Sequence, residues 1–248
     1  MEIPTPLVMV DFFSDRLGLY SFRARIAASF LSKKAGKCKK PLDHINLCYD
    51  AFRHIPLKYI GWSIAPIQVK QEIQALLSIL SEQNIHAILE IGTANGGTLY
   101  LFTRTIDSNA KIISLDMPSG KSGGGYESFK IPFFTNFAQK NQRIFLVRAD
   151  SHSASSLSAV KSILKGQELD FLFIDGDHTY EGVKRDFKMY TPLVRKGGLI
   201  ALHDICEHSR ETGCEVHKFW NEIKHAYLHQ EIISSQNQKW ADIGVLYT

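Results

Sequence analysis

Five short apolar runs in the later two-thirds of the chain each stop at an acidic tip. AILEI carries Glu90, KIISLDM carries Asp116, RIFLVRAD ends at Asp150, LDFLFIDG carries Asp175, and GGLIALHDI carries the pair His203–Asp204. The runs are of strand length, and most are separated by segments of helical period. TLYLFTRTI, SLSAVKSILKG, EGVKRDFKMYTPLV and VHKFWNEIKHAY are those helices, the third aligning Val183, Phe187, Tyr190 and Val194. Ahead of them, IQVKQEIQALLSIL sets Val69, Ile73, Leu76, Leu77 and Leu80 on one helical face; after them, EIISS and ADIGVLYT predict a strand pair. Strands alternating with helices predict a parallel sheet covered on both faces. The expected fold is α/β: a Rossmann-like, doubly wound, mostly parallel seven-stranded sheet with the last strand antiparallel, plus a helical N-terminal extension. Ligands bind such sheets beyond the carboxyl ends of the strands, so five tips on one edge mark one site.

The tip of the first run, HAILEIGTANGGT, restricts the ligand. Gly92, Thr93, Asn95, Gly96, Gly97 and Thr98 form a turn that leads into a helix, where backbone N–H groups are free and a ligand can approach closely. A dinucleotide fingerprint needs G-x-G-x-x-G, but Ala94 stands where the second glycine belongs. The GKS at Gly120–Ser122 is no phosphate loop either, since its required earlier glycine falls on Leu115. A carboxylate before the glycines suits a cationic ligand without phosphates. Glu90 would face an ammonium or sulfonium, Asp116 would accept two ribose hydroxyls, and Asp150 with Ser151 would border an adenine. Those requirements describe S-adenosylmethionine.

The sequence here resembles a known family. LEIGTANGG is similar to the first motif of class I S-adenosylmethionine-dependent methyltransferases, and ISLDMP to their ribose-binding second. LDMPSGKSGGGYESFKIPFF and LFIDGDHTYEGVKRDFKMYTPLVRKGGLIALHDI resemble the branch of macrocin-type sugar O-methyltransferases and cephalosporin-hydroxylase-like proteins. The resemblance spans roughly residues 65–248. It implies in-line attack of a substrate oxygen on the sulfonium methyl, with positioning supplying much of the rate. It also implies a divalent metal, usually magnesium, on Asp175, His203 and Asp204, and His178 as base beside Asp175. Position 203 is a carboxylate in the metal-dependent relatives and histidine here. Magnesium prefers oxygen, so manganese, zinc or no metal stay open.

The remainder of the chain is less specific. With 248 residues, a net charge of +4 and 22% charged residues, it reads as an ordinary water-soluble globular chain with no call for nucleic acid. Residues 1–60 form a basic extension, for oligomerisation or as a lid, and 61–248 the methyltransferase domain; KKAGKCKK is the densest basic stretch. Within the extension Leu19, Phe22, Ile26 and Phe30 share a helical face, expected to pack on the main domain or a homo-oligomer partner rather than on a membrane. No run of roughly 18 apolar residues predicts a span. No secretory leader is evident, and four scattered cysteines fit a reducing cytoplasm. Cys206, His208, Cys214 and His217 have a first gap too short for the usual zinc spacings and read as loop and helix residues. Asp177 reads as a turn-stabilising acid, Gly120–Tyr126 as a lid or flexible loop, and Trp62, Trp220 and Trp240 as packing residues. The expected activity is O-methyl transfer to a small hydroxylated molecule, a sugar or glycosylated metabolite favoured. The alternative is a non-catalytic adenosyl-ligand-binding or interaction protein of the same fold.

Overall fold

A computed structural model describes residues 19–54, 64–119, 124–235 and 238–248. In chain order it contains α1 (Leu19–Ala35), α2 (Pro41–His54), α3 (Lys70–Ser81), β1 (Ala87–Ile91), α4 (Gly97–Thr105), β2 (Lys111–Asp116), α5 (Ile131–Thr135) and β3 (Arg143–Arg148). There follow α6 (Ala154–Leu164), β4 (Leu169–Ile174), α7 (Tyr180–Tyr190), β5 (Val194–His203), α8 (Val216–Ile223), β6 (Leu228–Ile232) and β7 (Ile243–Tyr247). The sheet order is β3-β2-β1-β4-β5-β7-β6. Among the described strands only β7 runs against its neighbours, pairing antiparallel with β5 and β6. The predicted doubly wound, mostly parallel seven-stranded sheet is therefore present. Trp62 and Gly120–Ser122, singled out from the sequence, lie outside the described residues.

Period-two alternation sorts the core into two layers. Ile88 of β1 with Phe171 and Phe173 of β4 faces a cluster that includes Leu76, Phe102 and Phe133 from α3, α4 and α5. Leu89 and Ile91 face the opposite cluster, which holds Val160, Phe187 and Trp220 from α6, α7 and α8. Both faces of β1 and β4 are buried, which is why these strands read as unbroken apolar runs. Their carboxyl ends are where the chain must open into loops.

Two boundaries and one helix face differ from expectation. Helix α7 stops at Tyr190; Pro192 carries no N–H to continue it, a 3₁₀ turn follows, and Val194 opens β5 instead of completing a helical face. Strand β6 begins at Leu228, ahead of EIISS. Helix α1 turns a different face inward: Ala24, Ala27, Ala28 and Leu31 are buried, whereas Phe22 is 61% and Ile26 47% exposed. The small alanines let α1 lie close to α5; Phe30, from the predicted face, is half-buried against the same core, and Phe22 and Ile26 are left outside. No helix among the described residues is long and apolar enough to cross a membrane.

Candidate active site

The carboxyl edge of the sheet surrounds a cleft of ≈ 1110 Å³, larger than a typical site for a single drug-sized ligand. Gly92, Thr93, Asn95, Gly97, Thr98, Asp116, Asp150, Ser151, Asp175, His178, His203 and Asp204 all line it. Residues chosen from five strand ends and the loops that follow them thus converge on one space. Two predicted residues stand apart. Glu90 lies within β1, fully buried, and Gly96 faces Phe134.

The glycine turn is built by close backbone approach. Gly92 has φ 89°, and a Cβ there would lie 1.9 Å from the Asp175 carbonyl oxygen. A Cβ on Gly97 would lie 2.4 Å from the Ile64 carbonyl. Glu90 braces the turn from beneath: Thr93 Oγ1 donates to one carboxyl oxygen at 2.7 Å, and Thr98 Oγ1 donates to the other. Burial pushes the Glu90 carboxyl up to about 8, although both hydroxyls oppose the shift. Contact of Glu90 with a bound cation, expected from the sequence, is therefore replaced by a structural role.

Asp116, at the end of β2, accepts from Thr93 N at 2.9 Å and Ala94 N at 2.7 Å through Oδ2, and from Met117 N at 2.8 Å through Oδ1. Burial raises its pKa, and these N–H donors work against the rise. One carboxylate thus clamps the glycine turn and still presents lone pairs to the cleft. Asp150 and Ser151 follow β3, with Asp150 Oδ1 accepting from His152 N at 2.8 Å. Asp177 stabilises its turn as expected, accepting from Thr179 N at 2.9 Å.

The tips of β4 and β5 bring two carboxylates and two imidazoles together. Asp175 Oδ1 lies 3.3 Å from His178 Nε2 and 3.1 Å from His203 Nδ1. Asp204 Oδ1 lies 3.3 Å from His203 Nδ1, and Oδ2 lies 3.6 Å from His178 Nε2. Burial alone would neutralise His203, but the two carboxylates overcome it and hold the ring protonated, well above its ordinary range. Burial would likewise raise Asp175 and Asp204, and the His203 charge keeps both lowered. The hydrogen bond to Asp175 raises His178. The His203 ring lies between the two carboxylates, so the structure brings together the three side chains expected from the sequence to hold a metal, Asp175, His203 and Asp204. By position, the two carboxylates also form a potential ligand group with His178.

Several contributors went unrecognised in the sequence. Gln68 Nε2 donates to Asp175 Oδ2 at 2.5 Å from the segment before α3. His208 lines the cleft, as does Trp240, which is 48% exposed rather than a packing residue. Trp220 is buried in the core as expected. No periodicity or motif marks Gln68; only the fold places it across from Asp175.

Residues 89–205 match the model of a family described as a methyltransferase domain. The matched segment is just under half of the chain, and the fold around it is one found in solved methyltransferases. An uncharacterized protein of Acanthamoeba polyphaga mimivirus is 31% identical over 116 residues, covering 47% of this chain and 50% of that protein. An uncharacterized protein of Sinorhizobium fredii is 24% identical over 139 residues, covering 55% of this chain and 15% of that protein. The chain thus spans half or less of the length of these curated relatives. Among solved structures, an O-methyltransferase from Bacillus cereus in complex with S-adenosylhomocysteine is similar at TM-score 0.52 and 16% identity, over 90% of this chain and 97% of that one. An O-methyltransferase from Streptomyces achromogenes in complex with S-adenosylmethionine, involved in tomaymycin synthesis, gives 0.53 at 13% identity, over 92% and 98%. An N-methyltransferase from Bradyrhizobium japonicum, NodS, in complex with S-adenosylhomocysteine gives 0.51 at 11%, over 90% and 98%. These likenesses establish the fold; because they include oxygen and nitrogen methylation, they leave the acceptor atom to the site itself.

Proposed function

We propose that this chain transfers the methyl group of S-adenosylmethionine to a hydroxyl oxygen of a small molecule, with a sugar or glycosylated metabolite as the favoured acceptor. The observation that carries the reading is a half-exposed imidazole, His178, held by a buried carboxylate at the open edge of the cleft, beside the glycine turn and Asp116. The turn and Asp116 would take the cofactor's amino-acid and ribose ends, and Asp150 with Ser151 its adenine. With Nε2–H directed at Asp175, the proton acceptor on His178 is Nδ1. The acceptor hydroxyl gives its proton to Nδ1 as its oxygen bonds to the methyl carbon. The carbon–sulfur bond breaks, and the cofactor leaves as neutral S-adenosylhomocysteine. Gln68 and His203 hold Asp175 in place throughout. No step is assigned to magnesium or manganese.

Calorimetry should show binding of S-adenosylmethionine and S-adenosylhomocysteine and none of NAD. Asp116→Ala should weaken that binding by about 1–3 kcal/mol, because the turn's N–H groups lose their acceptor together with the ribose. His178→Ala should lower turnover on a panel of hydroxylated sugars roughly 10²–10⁴-fold with cofactor affinity preserved. Binding of NAD in place of the adenosyl compounds would remove the reading entirely; full turnover in His178→Ala would remove the base.

A further inference from the structure

Beyond β5 the chain doubles back on itself. Asp204 adopts φ 63°, in the left-handed region, and Ala241 N donates to its Oδ1 at 3.1 Å. The turn returns His208 to the same carboxylate, with Nε2 3.3 Å from Asp204 Oδ1. Cys214 arrives from the other side, after Gly213 at φ 69°. Its position is secured by the next residue, where Glu215 N donates to the His178 carbonyl at 2.7 Å. A carboxylate oxygen, an imidazole nitrogen and a thiol sulfur from these three residues lie within 4.8 Å of one another. The short gap between Cys206 and His208 argued against zinc in the sequence, but Cys206 is not a member of this group. Asp204 takes its place.

The group holds a buried, incompletely made contact. The His208 side chain is 8% exposed, and its Nε2 faces Asp204 Oδ1 at 3.3 Å without the geometry of a full hydrogen bond. Leaving a buried polar nitrogen unsatisfied costs about 1–3 kcal/mol, so such atoms call for a partner. Cys214 is 7% exposed and carries a free thiol. Oxygen, nitrogen and sulfur donors together suit a borderline-soft divalent ion better than magnesium or calcium. Zinc bonds of about 2.0–2.3 Å hold neighbouring tetrahedral ligands roughly 3.3–3.8 Å apart, so atoms within 4.8 Å of one another reach one ion by closing at most about 1.5 Å.

We propose that Asp204, His208 and Cys214 form a binding site for a zinc-class divalent ion at the edge of the cleft. Asp204 and His208 both line the cleft, so the fourth coordination position opens toward it. The site differs from an oxygen-preferring ion on Asp175 and Asp204 by its dependence on sulfur. It stands on donor geometry alone and holds whether or not methyl transfer is the activity.

The test is cobalt binding to the full-length, chelator-treated protein, with Co²⁺ as the spectroscopic substitute for zinc. One equivalent should produce a thiolate-to-cobalt charge-transfer band, which Zn²⁺ should abolish by displacement and excess Mg²⁺ should not. Cys214→Ser should remove the band, and His208→Gln should weaken Co²⁺ affinity at least about tenfold, with circular dichroism verifying that each variant is folded. Cys206→Ser should retain the band. Absence of stoichiometric Co²⁺ or Zn²⁺ binding by the unaltered protein would overturn the proposal. So would a band that survives Cys214→Ser, displacement by Mg²⁺, or unchanged affinity in a folded His208→Gln protein.

Discussion

Glu90 shows how one side chain can be polar, central and still invisible to the ligand. Its carboxyl is buried between Thr93 and Thr98, and burial raises its pKa from 4.5 to about 8. The folded protein therefore keeps a proton there that the unfolded chain releases above its ordinary value. Stability contributed by this proton is fully present below about 4.5 and is lost as pH rises toward about 8. The loss is at most about 1.4 kcal/mol per pH unit for a single proton. Glu90→Gln fixes the neutral form, so urea denaturation between those limits should show a flatter pH dependence than the unaltered protein. Equal slopes in the two proteins would show that the carboxyl is already ionised in the fold.

Among the elements, the junction of β1 with α4 carries the most constraint. Gly92 must pass under the Asp175 carbonyl, which connects the glycine turn to the β4 tip through backbone alone. Hydrogen bonds reinforce the same link, with Gly92 N donating to Leu115 O at 2.9 Å and Asp175 N to Ile91 O at 2.8 Å. Gly92→Ala adds a methyl where only 1.9 Å is available, in addition to about 1–3 kcal/mol for a left-handed alanine. Gly166 provides the control: it has φ 84° but nothing within 4 Å of a built Cβ. Thermal unfolding should show a clearly larger loss for Gly92→Ala than for Gly166→Ala, and calorimetry should show lost cofactor binding only in the former. Equal losses would mean that the conformational penalty, and not the close approach, decides the position.

Across the whole molecule, the N-terminal helices are part of the main core. Ala24, Ala27, Ala28 and Leu31 of α1 and Ile45 and Cys48 of α2 join the cluster that contains Phe133 and Phe171. His44 Nδ1 meets Tyr100 Oη of α4 at 2.8 Å, and Asn136 Nδ2 donates to Ser32 Oγ at 3.0 Å. Leu31→Ala should therefore cost about 2–5 kcal/mol of stability, as a buried leucine does. Phe22→Ala, on the outward face, should change stability by no more than about 0.5 kcal/mol. Chemical denaturation of the two variants separates the faces; the reverse ranking would place Phe22 in the core.

The amino-acid sequence by itself determined the sheet, because buried parallel strands must be apolar on both faces and their ends must turn. It also determined which edge of the sheet carries the cleft, since Asp116, Asp150, Asp175, His203 and Asp204 stand at successive strand ends. Glu90 was misplaced by one pleat: it is the last but one residue of AILEI, the run that β1 matches, and its side chain lies inside the core. The inward face of α1 was unreadable because alanines and large apolar residues share the helix, and only the distance to α5 selects between them. Partners separated widely along the chain came from tertiary structure alone. Gln68 reaches Asp175, His203 lies between Asp175 and Asp204, and His208 meets Cys214 at Asp204. No local period encodes such meetings, because each depends on where several loops leave a sheet whose order is set by packing.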